Sequence, residues 1–194
     1  MDKVLIPRTG RIGRFAKIIE RELGEKVLIK VMQDSEKYSS FKRPKQAAWW
    51  KSTTERLEKE VGKEKAQIIM ALCGQKCCGK GIRKTARRLM DESKSIEEFL
   101  VRASTEGVKE GEVEYKLQDK NTIVGIFNRC FCGQVAQTKT LFKNKTYCQC
   151  SVEFHKQFFT AALGNPVKVE LMQSIINGAN SCRFTINIVK IAES

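Results

Sequence analysis

The apolar residues of this chain change their spacing near residue 110, and that change restricts the fold more than any other feature. A helix repeats about every 3.6 residues and a strand about every two, so a stretch patterned for one cannot bury its apolar side as the other. Upstream, Ile12, Phe15, Ile19 and Leu23 recur at helical steps before Gly24, which predicts a helix over 11–23 ended by a glycine. Ala47, Trp50, Leu57 and Val61 predict a second helix, with Pro44 in its first turn and Gly62 after it. The run from Lys65 to Cys73 fits a buried helix better than a buried strand. Ile82, Ala86, Leu89 and Met90 suit another, and Ile96, Phe99, Leu100 and Ala103 a further one, opened by Ser95 and Glu98 in the pattern of a capping box.

Downstream, Val113, Tyr115 and Leu117 alternate with Glu112, Glu114 and Lys116, the signature of a strand with one wet face. The polar stretch 119–121 turns it into the apolar run 122–127, a hairpin. Helical spacing returns over 151–163 through His155, Phe158, Phe159, Ala162 and Leu163, with Ser151 placed to cap and Gly164 to terminate. Residues 166–175 and 182–191 make a second hairpin around the turn at 177–180. The expected class is α+β: an N-terminal helical region followed by a ββαββ antiparallel sheet with a packed helix. The period change divides the chain into a helical extension or subdomain over 1–110 and an α+β, ligand-binding-like domain over 111–194.

No apolar run approaches the roughly 20 residues of a membrane span, and the N-terminal stretch lacks the apolar core of an export signal, so a cytoplasmic chain is expected. In a reducing compartment, eight cysteines point to thiol chemistry rather than a disulfide framework. They cluster as Cys73, Cys77 and Cys78; Cys130 and Cys132; Cys148 and Cys150; and Cys182. The short link 164–166 sends the helix and the following strand in opposite directions, and the turn at 177–180 returns Cys182 to the start of the helix. Cys148, Cys150 and Cys182 should therefore converge, with Cys130 and Cys132 as the candidates to complete a four-sulfur, tetrahedral set for a structural zinc. Buried packing and a redox pair remain open for the same residues. His155, on an apolar face, reads as a hydrogen-bonded core histidine or as a ligand. A nucleophilic Cys148 or Cys150 with His155 as base is the catalytic alternative, weakened because side chains five residues apart on a helix diverge.

The stretch from Gly74 to Gly81 nearly spells a phosphate-binding loop, but glycine stands where the metal-binding hydroxyl belongs. Lys80 and Arg83 in the first turn of a helix remain candidates to bind an anion or an acidic ligand group. Cys73, Cys77 and Cys78 are candidates for a second thiol site or for joining the C-terminal cluster, and only one of Cys77 and Cys78 can easily face a given site. The formal charge of +14, concentrated toward the N-terminal part, leaves nucleic acid among the partners, with Trp49 as a base-stacking candidate.

Glu170, the turn at Gly178, Cys182, Phe184 and Ile186 resemble the end of the 4-vinyl-reductase-type, or hydrocarbon-binding, domain. Cys150 falls where that family often carries a cysteine upstream of its helix, and Ser174 departs from a cysteine position. The likeness spans roughly 111–194 and is closest over 148–188. It implies a module that binds a small apolar ligand or acts as a sensor, with zinc held by cysteines. Phe154, Phe158 and Phe159 are candidates to line an apolar pocket between helix and sheet, core packing being the stronger reading for all three, and a second copy of the chain is a candidate partner. A related tail in hydrolases resembling the L-2-amino-thiazoline-4-carboxylate type implies a cysteine-dependent enzyme instead.

Overall fold

The computed structural model describes residues 5–189 and is α+β, as the period change predicts. Six helices come first: α1 (Gly10–Leu23), α2 (Glu25–Val31), α3 (Arg43–Val61), α4 (Lys63–Cys77), α5 (Lys80–Asp91) and α6 (Ile96–Thr105). Strands β1 (Val113–Asp119) and β2 (Thr122–Phe127) follow, then α7 (Gln149–Leu163), β3 (Val167–Gln173) and β4 (Cys182–Ile188). The four strands form one antiparallel sheet in the order β1-β2-β4-β3. The second hairpin thus joins the first through β4, which pairs Phe184 with Gly125 and Ile186 with Ile123.

Local signals in the sequence explain most element ends. Gly24 and Gly62 sit at positive φ between consecutive helices, where a residue with a Cβ is disfavoured. Ser95 accepts a hydrogen bond from the Glu98 amide at 3.3 Å, and Glu98 in turn accepts one from the Lys94 amide at 2.8 Å. Ser151 does not cap: α7 starts earlier, at Gln149, with Cys148 as its flanking residue and no side-chain cap bond. The short helix α2 and the 3-10 turn Ser35–Ser40 were not visible in the apolar periodicity, because each is too brief to show a stripe.

Two apolar cores lie on either side of α7. One gathers α1 to α4 around Phe15, Ile19, Leu57, Met70 and Trp50, and takes in Val135, Phe142 and Tyr147 from the long connection before α7. The other packs Leu89, Phe99 and Leu100 of α5 and α6 with Phe159 and with Ile123, Phe184 and Ile186 of the sheet. Trp49 belongs to the first core, correcting its reading as an exposed stacking residue. It is 6% exposed, and its ring nitrogen donates to the Gln33 carbonyl at 2.8 Å.

Helix α4 reaches α7 through Gly74, so this glycine is a packing residue inside a helix and no phosphate-binding loop exists here. An added Cβ would run into the Cys150 carbonyl oxygen and lie 2.9 Å from Glu153 Cβ. Backbone on a second helix cannot yield as a side-chain end can. Gly74→Ala is therefore expected to lose up to about 3 kcal/mol despite its better helix propensity. Gly81→Ala meets nothing within 4 Å and should be neutral or gain up to about 1 kcal/mol. Urea unfolding of the two variants checks the pair.

Candidate functional site

Between the start of α7, the ends of β2 and β4, and the 128–148 connection lies a cavity of about 250 Å³. Its lining includes all five cysteines expected to converge: Cys130, Cys132, Cys148, Cys150 and Cys182. Cys77 joins them from the end of α4. Cys73 and Cys78 are buried elsewhere, so of the two adjacent cysteines only Cys77 faces this space. Phe127, Phe131, Phe154, Leu171 and Phe184 supply apolar wall, and Arg11 and His155 supply polar atoms.

The thiols sit in distinct settings. Cys132 Sγ lies 3.1 Å from the Tyr147 hydroxyl, Cys148 Sγ 3.3 Å from the Ser174 hydroxyl, and Cys182 Sγ accepts from the Ile175 amide at 3.4 Å. Burial pushes the Cys130 thiol up to about 11 and the Cys150 thiol, opposed by Arg11, also up to about 11. Burial raises Cys148 further, against the pull of Ser174. These thiols are protonated at neutral pH, the opposite of what an activated nucleophile needs.

Arg11 projects from α1 with Nη2 donating to Cys150 Sγ at 3.0 Å and its guanidinium 5.8 Å from the Tyr147 ring centre. Desolvation opposes its charge; Tyr147 and Cys150 beside it would favour the charge only when ionised, and burial keeps both protonated near neutral pH. His155 is 4% exposed. Its Nδ1 lies 2.6 Å from the Ser151 carbonyl oxygen, which can only accept, so the proton sits on Nδ1. Nε2 has no partner. Burial moves the imidazole down to about 4, and it is neutral near pH 7. Among the described residues no cysteine pairs with Nε2, so the nucleophile-and-base arrangement is not assembled as the side chains stand.

A second space of about 530 Å³ opens between α5, α6, β1 and α7, lined by Ile82, Leu89, Val113, Tyr115 and Phe158 among others. It shares Phe127, Phe131 and Phe154 with the thiol cavity, and these rings form the partition between the two. Phe154 and Phe158 are thus cavity residues. Phe159 lies fully in the core, the stronger of its two readings. Lys80 and Arg83 line an open basic groove on α5 with Lys84 and Arg87, and Arg83 Nη1 donates to the Cys78 carbonyl at 3.0 Å.

Arg11 and Tyr147 escaped the sequence reading, although Arg11 continues the stripe of Phe15 and Ile19 one turn upstream. A cation in line with an apolar stripe was the available signal. Among the described residues no group of three or more Cys, His, Asp or Glu side chains stands ready to hold a metal ion, and no helix is long and apolar enough to cross a membrane.

Architecture of this kind occurs in H-NOX proteins. The Fe(II) unliganded H-NOX protein of K. algicida matches with a TM-score of 0.52 at 11% identity, over 93% of this chain and 95% of that one. Its A71G mutant matches at 0.53 and 11%, over 94% and 96%. The phenol-responsive sensory domain of the transcription activator PoxR, with phenol, gives 0.48 at 14% identity over 74% of each chain. In sequence, residues 15–192 match the model of a family of unknown function, DUF6144, and the chain belongs to that family. No curated protein matches it.

Proposed function

We propose that the protein is a small-molecule-binding sensor module whose ligand occupies the cavity between α7 and the sheet. The observation that carries this reading is one largely apolar cavity lined by two residues whose polar groups lack suitable partners among the described residues, the Arg11 guanidinium and His155 Nε2. Binding sites are commonly apolar spaces with a few convergent polar atoms, whereas a plain core leaves neither the space nor the orphans. The H-NOX-type fold and the resemblance of 148–188 to the hydrocarbon-binding domain support the same reading. Binding is tested by melting and by imidazole nitrogen spectra of the single histidine with toluene, phenol, benzoate and the hydroxybenzoate isomers. At least one probe should raise the melting temperature and shift the His155 signal. No response to any of them would overturn the reading.

The K. algicida H-NOX protein is in an Fe(II) state, and heme distortion is a property of the H-NOX family. Heme does not fit here. Benzene fills a cavity of about 150 Å³, and a porphyrin is several times larger than benzene, whereas this cavity holds about 250 Å³ behind an aromatic partition.

Zinc fits by donor chemistry. Sulfurs from three remote stretches line one cavity, and Cys130, Cys148 and Cys182 are near enough to influence one another's titration. Side-chain rotation would have to draw the sulfurs together, since they form no ligating group as placed. Zinc supplies cross-linking when bound; four of Cys130, Cys132, Cys148, Cys150 and Cys182 would hold it, and binding would release thiol protons. The reduced protein should then carry about one zinc per chain. Cys148→Ser and Cys182→Ser should lose it while Cys73→Ser does not. Metal-free reduced protein at full solubility would remove zinc from the proposal and leave the ligand cavity untouched.

A further inference from the structure

Arg11 is the starting point. Its guanidinium lies in a cavity wall with a thiol, a phenol ring and two further cysteines for neighbours. Among the described residues it forms no ion pair. Several other arginines do pair, Arg8 with Glu20, Arg88 with Glu92 and Glu106, Arg102 with Glu92, and Arg129 with Glu112. Among the described residues, Arg56 and Arg83 lack an ion pair but donate to backbone carbonyl oxygens, whereas Arg11 has only a thiol to donate to. Helix α1 also has no acidic residue in its first turn to answer the charge. A half-buried guanidinium offers five donors in a planar fork, and thiols are weak acceptors for them. Its natural complement is a carboxylate gripped by two parallel hydrogen bonds.

A second and independent feature lies in the same cavity. His155 is over nine-tenths buried, and among the described residues its Nε2 lone pair has no donor to meet. The bond from Nδ1 to the Ser151 carbonyl fixes the tautomer, so Nε2 can accept but not donate. A group satisfying it must bring an O–H or N–H. Around the imidazole stand Phe184 and Phe127, with ring centres 4.3 and 5.1 Å away; they close over Nε2 as they stand, so a shift of these rings must open it to a donor from the cavity. The cavity volume of about 250 Å³ exceeds the roughly 150 Å³ that houses benzene, and suits one ring with small substituents.

We propose that the ligand of this cavity is a small hydroxy- or amino-substituted carboxylic acid with a compact apolar body, its carboxylate held by Arg11 and its donor received by His155 Nε2. The assignment rests on the sensor reading above and specifies the ligand class for the same site. Without a ligand, the cation and the lone pair are left with poor partners. With it, both are satisfied and the apolar middle is covered by the phenylalanine wall. The two polar contacts also set selectivity, since neutral rings satisfy at most one of them and unsubstituted acids leave Nε2 empty.

Calorimetric titration of the wild-type chain with the hydroxybenzoate isomers, benzoate, phenol and toluene tests this. The best hydroxybenzoate should bind about tenfold or more tightly than benzoate, and tighter again than phenol. Arg11→Met should lose about tenfold or more for hydroxybenzoate while phenol affinity stays within about twofold. Arg11→Lys should restore part of the loss, because charge returns without the fork. His155→Phe should erase the difference between hydroxybenzoate and benzoate. In the wild type, hydroxybenzoate but not benzoate should shift the His155 Nε2 nitrogen resonance toward a hydrogen-bonded value. Phenol or toluene binding as tightly as every hydroxybenzoate, or indifference to Arg11→Met, would sink the ligand class and leave the sensor reading standing. Absence of binding by all probes would sink both. Should Arg11→Met fail to fold, the wild-type ranking and the resonance shift decide alone.

Discussion

Trp50→Ala is expected to cost about 3–5 kcal/mol of folding free energy. Trp50 is 1% exposed in the middle of α3 and meets Phe15, Trp49 and Tyr147 edge-on, with ring centres 5.1, 5.2 and 5.6 Å away. Its ring nitrogen donates to the Tyr38 hydroxyl at 2.8 Å, which in turn contacts Gln134 in the connection before α7. Truncation removes the largest fully buried side chain and leaves a hole that rigid helices on either side cannot fill. The loss also reaches the cavity, because Tyr147 rests against Trp50 and in turn backs Arg11. Trp50→Phe should cost much less, retaining most of the packing and losing the hydrogen bond. Ile68→Ala, at a site 61% exposed, should stay within about 0.5 kcal/mol. Urea unfolding orders the three variants, and a Trp50→Ala loss no greater than that of Ile68→Ala would show that this aromatic cluster does not hold the helical layer.

The cavity shows which physical signals a sequence carries. Strand β1 was legible because its alternation, Val113, Tyr115 and Leu117 inward, is the direct consequence of one buried face. Helix α7 was legible for the same reason, and its glycine terminator at Gly164 adopts the left-handed conformation that such a stop requires. The gathering of Cys148, Cys150 and Cys182 followed from chain reversal by short links, which is topology rather than side-chain chemistry. Arg11 did not follow from any such rule. It comes from α1, separated from Cys150 by 139 positions, and reaches the sulfurs only because α1 and α4 pack together and α4 in turn meets α7 at Gly74. A lone glycine within an apolar run gives no hint of which backbone will approach it. Orphaned polar atoms such as His155 Nε2 are likewise invisible in a sequence, since they are defined by the partners a fold withholds.

That orphan makes the stability of the protein depend on acidity in a definite direction. His155 has an ordinary value near 6.5 when exposed and is pushed down to about 4 by burial, partly offset by the carbonyl of Ser151. Above pH 6.5 both folded and unfolded chains hold it neutral, and its contribution is fully present. As pH falls from 6.5 toward 4 the unfolded chain takes up a proton that the folded chain refuses, so stability declines; below 4 the folded imidazole also titrates and the decline from this group ends. The difference corresponds to about 3 kcal/mol. The rings facing it are Phe127, Phe154, Phe184 and Tyr115, and burial raises the Tyr115 hydroxyl, moving it away from this window. The neighbouring cavity thiols of Cys130, Cys148 and Cys150 are raised as well, so they do not titrate here. With a single histidine in the chain, the effect can be assigned without ambiguity. Carboxylates elsewhere titrate in both wild type and His155→Phe, so the comparison isolates the imidazole. Between pH 6.5 and 4 the wild type should lose about 3 kcal/mol more than His155→Phe in urea unfolding. Parallel pH profiles for the two proteins would mean that the buried ring accepts a proton readily, and Nε2 would then be wet rather than waiting for a donor.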